Sequence, residues 1–494
     1  MPASPIRLTH LAALASLLLL GSCSKPEVGP VVVSVIGTTR ELREPLKSTT
    51  TPASKLILEA TAQGLVAFDE AGEILPALAQ RWIVEDDGRS YIFRLRRARW
   101  PKGDRITASE VARLLTERIQ ANLALDPLGD LDVVRAVVPM TGEVIEIRLS
   151  APRPYFLQML AQPQMAILGR DGGTGPYRAE PRPKALFLRP IIDPAAPREG
   201  EDAAPVPAWQ NRVLRAERAS KAIARFRLGF ARLVLGGRFT DLPVLAKSNI
   251  DKAAIRIDPV QGLFGLAITG KGPFLDDAGM REAVSMAIER EMLPSAFALG
   301  GWGITETLLP QQLDLPNAPS RPRWSALSID ERRALAANAV RAWRGKTEAE
   351  VPVLRIALPA GAGARILFGL IAADLRRIGV PARQVALEAD ADLRLIDEVA
   401  AYDSAAWYLG RLSCARQVHC SREADEKLKE AGQAETEADR LARLSEAEAM
   451  MTAHGGYIPL AAPVRWSLVA RYLNGFTASP RARHPLNHLV RATN

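Results

Sequence analysis

Two cysteines and a histidine lie close together in the segment "CARQVHC", which runs from Cys414 to Cys420. Two thiols at this spacing can form a disulfide, or they can join His419 as three ligands of a metal ion. The spacing lacks the pattern of common zinc sites, and a disulfide that closes so short a loop contributes roughly 2 kcal/mol. We therefore expect a Cys414–Cys420 disulfide and no metal site, and the metal site remains the alternative.

The sequence contains none of the short patterns that carry common catalytic or phosphate-binding chemistry. It lacks HExxH, GxSxG and GxxxxGK[ST]. The stretch "ALPAGAGARILF" follows an apolar run and begins a helix, as a dinucleotide-binding loop does, and Gly361 and Gly363 fit its first two glycines. Ile366 occupies the position of the third glycine, where a bulky side chain prevents close helix packing. We therefore expect no catalytic residue, no cofactor and no enzymatic activity.

Strand and helix patterns along the chain indicate which secondary-structure elements position its side chains. Residues 82–111 predict a β-hairpin around an Asp-Asp-Gly turn, followed by a capped helix. Residues 259–268 are apolar and predict a buried strand, residues 220–237 read as a helix followed by glycines, and residues 351–389 predict a parallel strand–helix–strand crossover. Hairpins dominate the first third of the chain, and helices alternate with strands through its second half. This order predicts α/β lobes with an α+β insertion.

The length and the net charge of the chain limit its domain number and its possible partners. A chain of 494 residues is long enough for two to four domains, at roughly 100–200 residues each. Its formal net charge of +9 would suit nucleic acid or an anionic surface. The basic residues are mixed with acidic ones, however, and no Lys/Arg run of the kind found in nucleic-acid-binding tails occurs. We therefore expect no nucleic acid partner.

The first residues, "MPASPIRLTHLAALASLLLLGSCS", have the features of a signal peptide. Arg7 precedes an apolar run over residues 11–20, which is too short for a membrane-spanning helix of about 20 residues. Residues 20–23 resemble the lipobox of bacterial lipoproteins, which implies cleavage after residue 22 and acylation of the Cys23 sulfur. The alternative is an ordinary signal peptide that happens to be cleaved near a cysteine. We expect residues 1–22 to be removed and the mature protein to be held in the periplasm or cell envelope by a lipid anchor in a membrane.

Several segments in order along the chain resemble the signature segments of the family 5 extracellular solute-binding proteins. The longest is "GLVAFDEAGEILPALAQRWIVEDDGRSYIFRLRRARWPKGDRITASEV", residues 64–111. The others are "GTGPYR" (173–178), "GPFLDDAGMREAVSMAIERE" (272–291), "ADLRRIGV" (373–380) and "GGYIPL" (455–460). Proteins of this family are the peptide- and nickel-type binding components of ATP-binding cassette importers. The resemblance covers almost the whole chain after the signal peptide.

The resemblance implies an α/β fold of the two-lobed, periplasmic-binding-protein type (type II, large cluster). The first lobe would comprise residues 23–255 plus 464–494, with an inserted α+β subdomain over about 60–172, and the second lobe would comprise residues 256–463. Two strands would cross between the lobes as hinges. A ligand would bind in the cleft and stabilise the closed form.

The resemblance also directs attention to "YDSAAWYLGRLSCARQVHC", residues 402–420. In the peptide binders of the family, an Asp in this region pairs with the amino terminus of the peptide, but here no acid lies between Asp403 and Cys420. Arg411, beside Trp407 and Tyr408, could instead bind a carboxylate or phosphate through a bidentate pair. We expect Asp403, Trp407, Tyr408 and Arg411 to contact ligand. Core packing is the alternative for the two aromatic residues, and a solvated position is the alternative for Arg411.

The function implied by the resemblance is capture of an oligopeptide or similar small organic solute by a monomeric lipoprotein, which delivers it to the permease subunits of an ATP-binding cassette importer. The alternative is the same fold without transport, as an envelope scaffold or sensor that binds a protein or a wall fragment. A secreted hydrolase is a third possibility, and the absence of a nucleophile or metal pattern weighs against it.

Overall fold

The computed structural model describes residues 29–47, 50–126, 130–191, 207–313 and 315–491. The predicted signal peptide and Cys23 lie outside these ranges. Within them, no helix combines the length and the apolar character needed to cross a membrane.

The strands fall into three larger sheets and several two-stranded pairs. In chain order they are β1 (Val31–Ile36), β2 (Val66–Phe68), β3 (Ile74–Pro76), β4 (Ala79–Glu85), β5 (Ser90–Leu95), β6 (Val134–Thr141), β7 (Val144–Leu149), β8 (Leu168–Gly169), β9 (Gly172–Gly173), β10 (Tyr177–Arg182), β11 (Ala185–Pro190), β12 (Arg212–Glu217), β13 (Leu233–Arg238), β14 (Ile255–Ile257), β15 (Gly262–Ile268), β16 (Leu354–Leu358), β17 (Ala382–Ala386), β18 (Leu393–Val399), β19 (Tyr457–Ala461), β20 (Arg465–Val469), β21 (Leu473–Asn474) and β22 (Val490–Arg491).

The helices pack on the faces of these sheets and between them. In chain order they are α1 (Thr39–Arg43), α2 (Pro52–Thr61), α3 (Ala108–Leu125), α4 (Phe156–Leu160), α5 (Ala219–Arg227), α6 (Leu242–Ala246), α7 (Pro273–Asp276), α8 (Ala278–Ala287), α9 (Met292–Ala296), α10 (Ile329–Thr347), α11 (Ala362–Arg377), α12 (Ala405–Gly410), α13 (Arg422–Gln433) and α14 (Glu437–His454).

The first lobe is built on a seven-stranded sheet in the order β10-β11-β12-β1-β13-β20-β14. Its central strand β1 runs parallel to β12 and β13, and Val33 and Val35 are fully buried because both edges and a face of the strand are covered. The prediction that residues 220–237 form a helix followed by glycines is wrong for its last part, which forms strand β13. The helix ends at Arg227, since Gly229 adopts a φ of 75°, and the apolar residues that follow form a strand between β1 and β20.

The second lobe is built on a five-stranded sheet in the order β17-β16-β18-β15-β19. Strand β16 pairs in parallel with β17 through helix α11, so the predicted crossover over residues 351–389 is confirmed. The predicted buried strand within 259–268 is confirmed as β15, which has β18 on one side and β19 on the other.

The chain passes between the two large sheets at two places. Strand β14 belongs to the first sheet and β15 to the second, so the first passage lies at residues 258–261. Strand β19 belongs to the second sheet and β20 to the first, so the second passage lies at residues 462–464. The apolar run over residues 457–470 is therefore two strands in different sheets, joined by a short connection.

The inserted subdomain contains the four-stranded sheet β4-β5-β7-β6 and helix α3. The hairpin between β4 and β5 turns at Asp86–Gly88, where Asp87 adopts a left-handed conformation with φ of 49°. Thr107 caps α3 by accepting a hydrogen bond from the Glu110 backbone N–H, while the Glu110 carboxylate accepts a hydrogen bond of 2.6 Å from the Trp100 indole. The helix start is thereby fastened to the turn that precedes it.

Candidate functional site

The inserted subdomain and the second lobe share one hydrophobic core. Trp407 and Tyr408 of α12 lie within it, with exposed fractions of 4% and 1%. Their rings meet edge to face with centroids 4.9 Å apart. Burial raises the pKa of the Tyr408 hydroxyl. Both side chains occupy the junction between subdomain and second lobe, and core packing, the alternative to ligand contact, describes their surroundings in this structure.

Arg411 follows α12 and links the second lobe to the subdomain. Its Nη1 donates a hydrogen bond of 2.9 Å to the carboxylate of Asp126 at the end of α3, and its Nε lies 3.2 Å from the Glu398 carboxylate. The guanidinium also covers the face of Trp407, 5.3 Å from the ring centroid. Burial alone would raise the pKa of Asp126, but hydrogen bonds from Arg411 and Arg416 hold that pKa below its usual value.

Asp403 forms a second link, toward the C-terminal segment of the first lobe. Its carboxylate forms an ion pair with Arg481, and its backbone N–H donates to the Gln158 side chain at 3.2 Å. Arg481 also donates a hydrogen bond of 3.0 Å to the carbonyl of Ala400. The four predicted ligand residues thus lie on one stretch of the second lobe that faces both the subdomain and the first lobe. Their contact with ligand stays a prediction.

Cys414 and Cys420 form a disulfide beside this stretch, with Cα atoms 5.1 Å apart. His419, the third member of the alternative metal site, is held by the protein itself. Its backbone N–H donates to the carbonyl of Ile268 at 2.7 Å, and its Nε2 contacts the carbonyl of Gly270. In the part of the chain that the structure describes, no group of three or more potential metal ligands comes together.

The glycine-rich start of α11 packs against the first lobe. A Cβ on Gly363 would overlap the carbonyl oxygen of Phe239, and a Cβ on Gly361 would press on Thr240. Phe239 and Thr240 follow directly after β13. The segment that suggested a nucleotide-binding loop therefore provides a close approach between the two lobes.

Four cationic side chains meet where the end of β13, the start of β20, helix α2 and the C-terminal segment come together. They are Lys55, Arg238, Arg465 and Arg483. Arg465 donates a hydrogen bond of 2.8 Å to Asp397 of the second lobe, and the Nε of Arg483 lies 2.8 Å from a Glu59 oxygen. We call these four residues the cation cluster. Sequence reasoning missed it because its members come from four separate segments and none belongs to a recognisable motif.

The cation cluster holds an excess of positive charge. Burial lowers the pKa of Lys55 to about 8, and the repulsion of Arg465, Arg238 and Arg483 acts in the same direction, against the attraction of Glu59. Burial also lowers the pKa of Arg238, again together with the charge of Arg465. Lys55 and Arg238 are partly buried residues.

A cavity of about 510 Å³ lies in the second lobe beside both passages between the sheets, since Gln261 and Ala462 contribute to its wall. Cavities of roughly 300–1,000 Å³ are typical of small-molecule sites. Glu306 is fixed in this wall by Arg332, whose Nη1 donates a hydrogen bond of 2.8 Å to it. Other polar or aromatic groups of the wall are Thr305, Thr307, Gln311, Gln312, Arg321 and Tyr457.

Comparison with known proteins confirms the resemblance inferred from the sequence. Residues 73–184 match the sequence model of the family described as "Bacterial extracellular solute-binding proteins, family 5 Middle". The chain is 32% identical over 140 residues to the protein named "Probable deoxycholate-binding periplasmic protein YgiS" of Escherichia coli, which covers 25% of this chain and 26% of that protein. It is 24% identical over 276 residues to the glutathione-binding protein GsiB of Salmonella choleraesuis, covering 53% and 52%. The chain thus matches about a quarter to a half of the length of these relatives.

The chain shares its fold over nearly its whole length with solved structures. The crystal structure of Haemophilus influenzae OppA in complex with the peptide RPPGFSPFR aligns with a TM-score of 0.76 at 14% identity, covering 95% of this chain and 100% of that one. The predicted fold class, an α/β fold of the two-lobed periplasmic-binding-protein type, is therefore confirmed.

Proposed function

We propose that this chain, a relative of the family 5 extracellular solute-binding proteins, captures a peptide or similar small organic solute between its lobes and delivers it to an ATP-binding cassette importer. The observation that carries the proposal is the double passage of the chain between the two large sheets, at residues 258–261 and 462–464. Two short strand connections allow two lobes to move about a common axis while each sheet stays intact. A two-lobed protein of this kind closes on a bound solute, and binding does not require a catalytic group.

The polar links across the junction support opening and closing. Arg411 with Asp126 and Asp403 with Arg481 connect surfaces that would separate when the lobes open. Each of these ion pairs keeps at least one half-exposed or exposed partner, and such pairs contribute little to stability, roughly 0–1 kcal/mol each. They can therefore fix the geometry of the closed form without holding it shut, and a ligand with higher affinity for the closed form shifts the population toward it.

The solute class follows from the relatives and from the cavity. The names of relatives mention deoxycholate and glutathione, and OppA of Haemophilus influenzae was solved with a peptide. The polar wall of the 510 Å³ cavity suits hydrogen bonding to a peptide backbone or to another small polar solute. The chain would act as a monomer in the periplasm or cell envelope, attached to a membrane by lipid at Cys23 and docking on permease subunits.

A second candidate function is a scaffold or sensor that binds an envelope protein or wall fragment. It is favoured by the continuity of the hydrophobic cores, since one core joins the subdomain to the second lobe and another joins the first lobe to the second. A junction filled by the side chains of the protein itself would leave less room for a guest.

Native mass spectrometry of the gently purified full chain tests the proposal. We expect co-purified masses that form a ladder of short peptides or correspond to one small organic solute. A single adduct of the mass of a metal ion would contradict the choice of solute. The absence of any small guest, together with stoichiometric capture of an envelope protein, would favour the scaffold.

Small-angle X-ray scattering tests the lobe movement independently. We expect Asp403→Asn to raise the radius of gyration of the ligand-free protein, because the link to Arg481 is weakened. Asp104→Asn is the matched control, since Asp104 is exposed and lies in the subdomain turn where its backbone carbonyl accepts from Trp100. Equal scattering curves for both variants and the wild type, with and without solute, would exclude the clamp.

A further inference from the structure

Within the described ranges, two members of the cation cluster have no partner at hydrogen-bond or ion-pair distance. Arg465 is neutralised by Asp397, and Arg483 by Glu59. Among the residues that the structure describes, none accepts a hydrogen bond from Lys55 or Arg238 or forms an ion pair with either within 4.0 Å. The Nε of Arg238 is moreover shielded from solvent and has no acceptor in that part of the chain.

The remaining acids nearby compensate this charge only in part, since Asp241 and Glu398 attract Arg238 without pairing with it. Glu398 lies 3.2 Å from Arg411 and is thus engaged with another cation. Asp241 accepts a hydrogen bond of 3.2 Å from the hydroxyl of Thr240, and burial raises the pKa of its carboxyl. In the part of the chain that the structure describes, no acid therefore pairs directly with Lys55 or Arg238, and the cluster keeps positive charge that its two ion pairs do not neutralise.

Uncompensated charge of this kind destabilises a fold. A partly buried cation costs free energy unless it is paired, and neighbouring like charges raise that cost. Natural proteins tend to keep such costly groups at binding and catalytic sites, where the missing counter-charge arrives with a ligand. The position of this cluster fits that explanation, since Arg465 lies directly after the second passage between the sheets and binds the second lobe through Asp397.

We propose that Lys55 and Arg238 form an oxyanion-binding site at the lobe junction, which receives a carboxylate or phosphate group of the captured solute. The inference rests on the proposed solute-binding function and names the chemical class of the solute. Arg238 would provide a planar, bidentate donor set, and Lys55 would provide a compact charge beside it. Arg465 and Arg483, held by their own carboxylates, would add to the positive potential.

Thermal unfolding in the presence of small anions tests the site directly. The probes are inorganic phosphate and acetate, each compared with chloride at equal ionic strength. We expect at least one of them to raise the melting temperature of the full chain, and we expect Lys55→Gln and Arg238→Gln to abolish that increase. Arg238→Lys should restore part of it. Lys47→Gln is the matched control, because Lys47 is an exposed first-lobe lysine paired with Glu44. A response to phosphate alone identifies a phosphate site, and a response to both identifies a general oxyanion site.

Calorimetry with tri-alanine and its C-terminal amide separates this inference from the proposed function. If the free acid binds at least tenfold more tightly than the amide and Lys55→Gln removes the difference, both are supported. If both peptides bind equally and no anion shifts the melting temperature, the oxyanion site is wrong while solute binding stands. If anions act on the cluster but no peptide binds, the site stands and the peptide assignment fails.

The melting temperatures of the ligand-free variants test whether Lys55 and Arg238 have a purely structural role. We expect Lys55→Gln to melt at the same or a higher temperature than the wild type without added anion, because the substitution relieves repulsion within the cluster. A large drop in melting temperature for both Lys55→Gln and Arg238→Gln, with an anion response in both that equals that of the wild type, would assign the cluster to the fold and overturn the proposal.

Discussion

The Nη1 atom of Arg411 lies 2.9 Å from the carboxylate of Asp126, and this contact joins the second lobe to the end of the longest helix of the inserted subdomain. Arg416 reaches the same carboxylate at 2.7 Å. The Asp126 carboxylate therefore pairs with two arginines of residues 402–420, the segment in which the ligand contacts are predicted.

Asp126→Asn should loosen the subdomain. Two half-exposed guanidinium groups would lose their charged acceptor, and because each such ion pair contributes roughly 0–1 kcal/mol we expect the free energy of unfolding to fall by about 1–2 kcal/mol. Urea titration measures the change. Arg113→Gln is the control, because the Arg113–Glu117 pair is exposed on α3 and its loss should change stability by less than about 0.5 kcal/mol. An equal loss of unfolding free energy for both substitutions would show that the Asp126 contact stabilises the protein no more than an exposed ion pair does.

Arg411→Ala addresses the ligand contact predicted from the sequence. If Arg411 leaves Asp126 to bind an anionic solute, affinity for that solute should fall more than tenfold in calorimetry, since a desolvated charge pair is lost. A mutant cycle with Asp126→Asn separates the two roles. Unchanged affinity would remove Arg411 from the site and leave it as a link between subdomain and second lobe.

Gly363→Ala should disturb the contact between the lobes. The added methyl group would overlap the carbonyl oxygen of Phe239, and relieving such a clash costs about 1–3 kcal/mol. Chemical denaturation gives the loss of stability, and X-ray scattering reports whether the lobes separate. Gly369→Ala is the matched control in the same helix, where a Cβ meets nothing within 4 Å. That substitution should be neutral or stabilising by up to about 1 kcal/mol, because alanine is the better helix former. Equal losses for the two variants would exclude a specific lobe contact.

Lys55 should give the stability of the protein a characteristic pH dependence. Its pKa falls from 10.5 to about 8 in the folded chain, because of burial and then the charge of Arg465. Between these values the unfolded chain binds more protons than the folded one, so the destabilising effect of Lys55 diminishes as the pH rises from about 8 to 10.5. The difference in unfolding free energy between wild type and Lys55→Gln, measured by urea titration across that range, should therefore shift in favour of the wild type. A pH-independent difference would contradict the depressed pKa.

The same group should control anion affinity. The charged form of Lys55 is required for the proposed oxyanion site, and its population falls above a pH of about 8. We expect phosphate or carboxylate binding to weaken between pH 7 and 9 in the wild type, and this decrease to be absent from Lys55→Gln. Calorimetry at constant ionic strength measures both, and buffers of different ionisation enthalpy should reveal proton uptake on binding.

The disulfide should contribute modestly to stability. Cys414 and Cys420 close a loop with a sequence separation of 6, for which the loop-entropy estimate is roughly 2 kcal/mol. We expect replacement of both cysteines by serine to lower the unfolding free energy by about that amount and to leave the loop near Ile268, because the His419 backbone N–H still donates to the Ile268 carbonyl. Calorimetric melting of the double variant checks this, and a loss above about 5 kcal/mol would indicate a larger role for the bridge.

Local pattern predicted the elements well where hydrogen bonding and burial act over a few residues. The hairpin at Asp86–Gly88, the capped helix α3 and the β16–α11–β17 crossover follow from turn residues, capping and alternating polarity. The local pattern favours helix where strand β13 lies, because its three apolar residues 233–235 are too few to show a period, and only pairing with β1 and β20 determines their conformation.

The sequence by itself determined the class of fold, the order of its elements and the family it resembles, because periodicity, caps and turn signals are local and survive in a single chain. It also directed attention to Asp403, Trp407, Tyr408 and Arg411. Only the tertiary structure decided which charges meet, since the distance between side chains depends on how sheets and lobes pack. Lys55 and Arg238 lie far apart in sequence, and nothing around either indicates the other. Folding brings them close together at the lobe junction, where neither has an ion-pair partner among the described residues, and that juxtaposition is the reason to look for the ligand there.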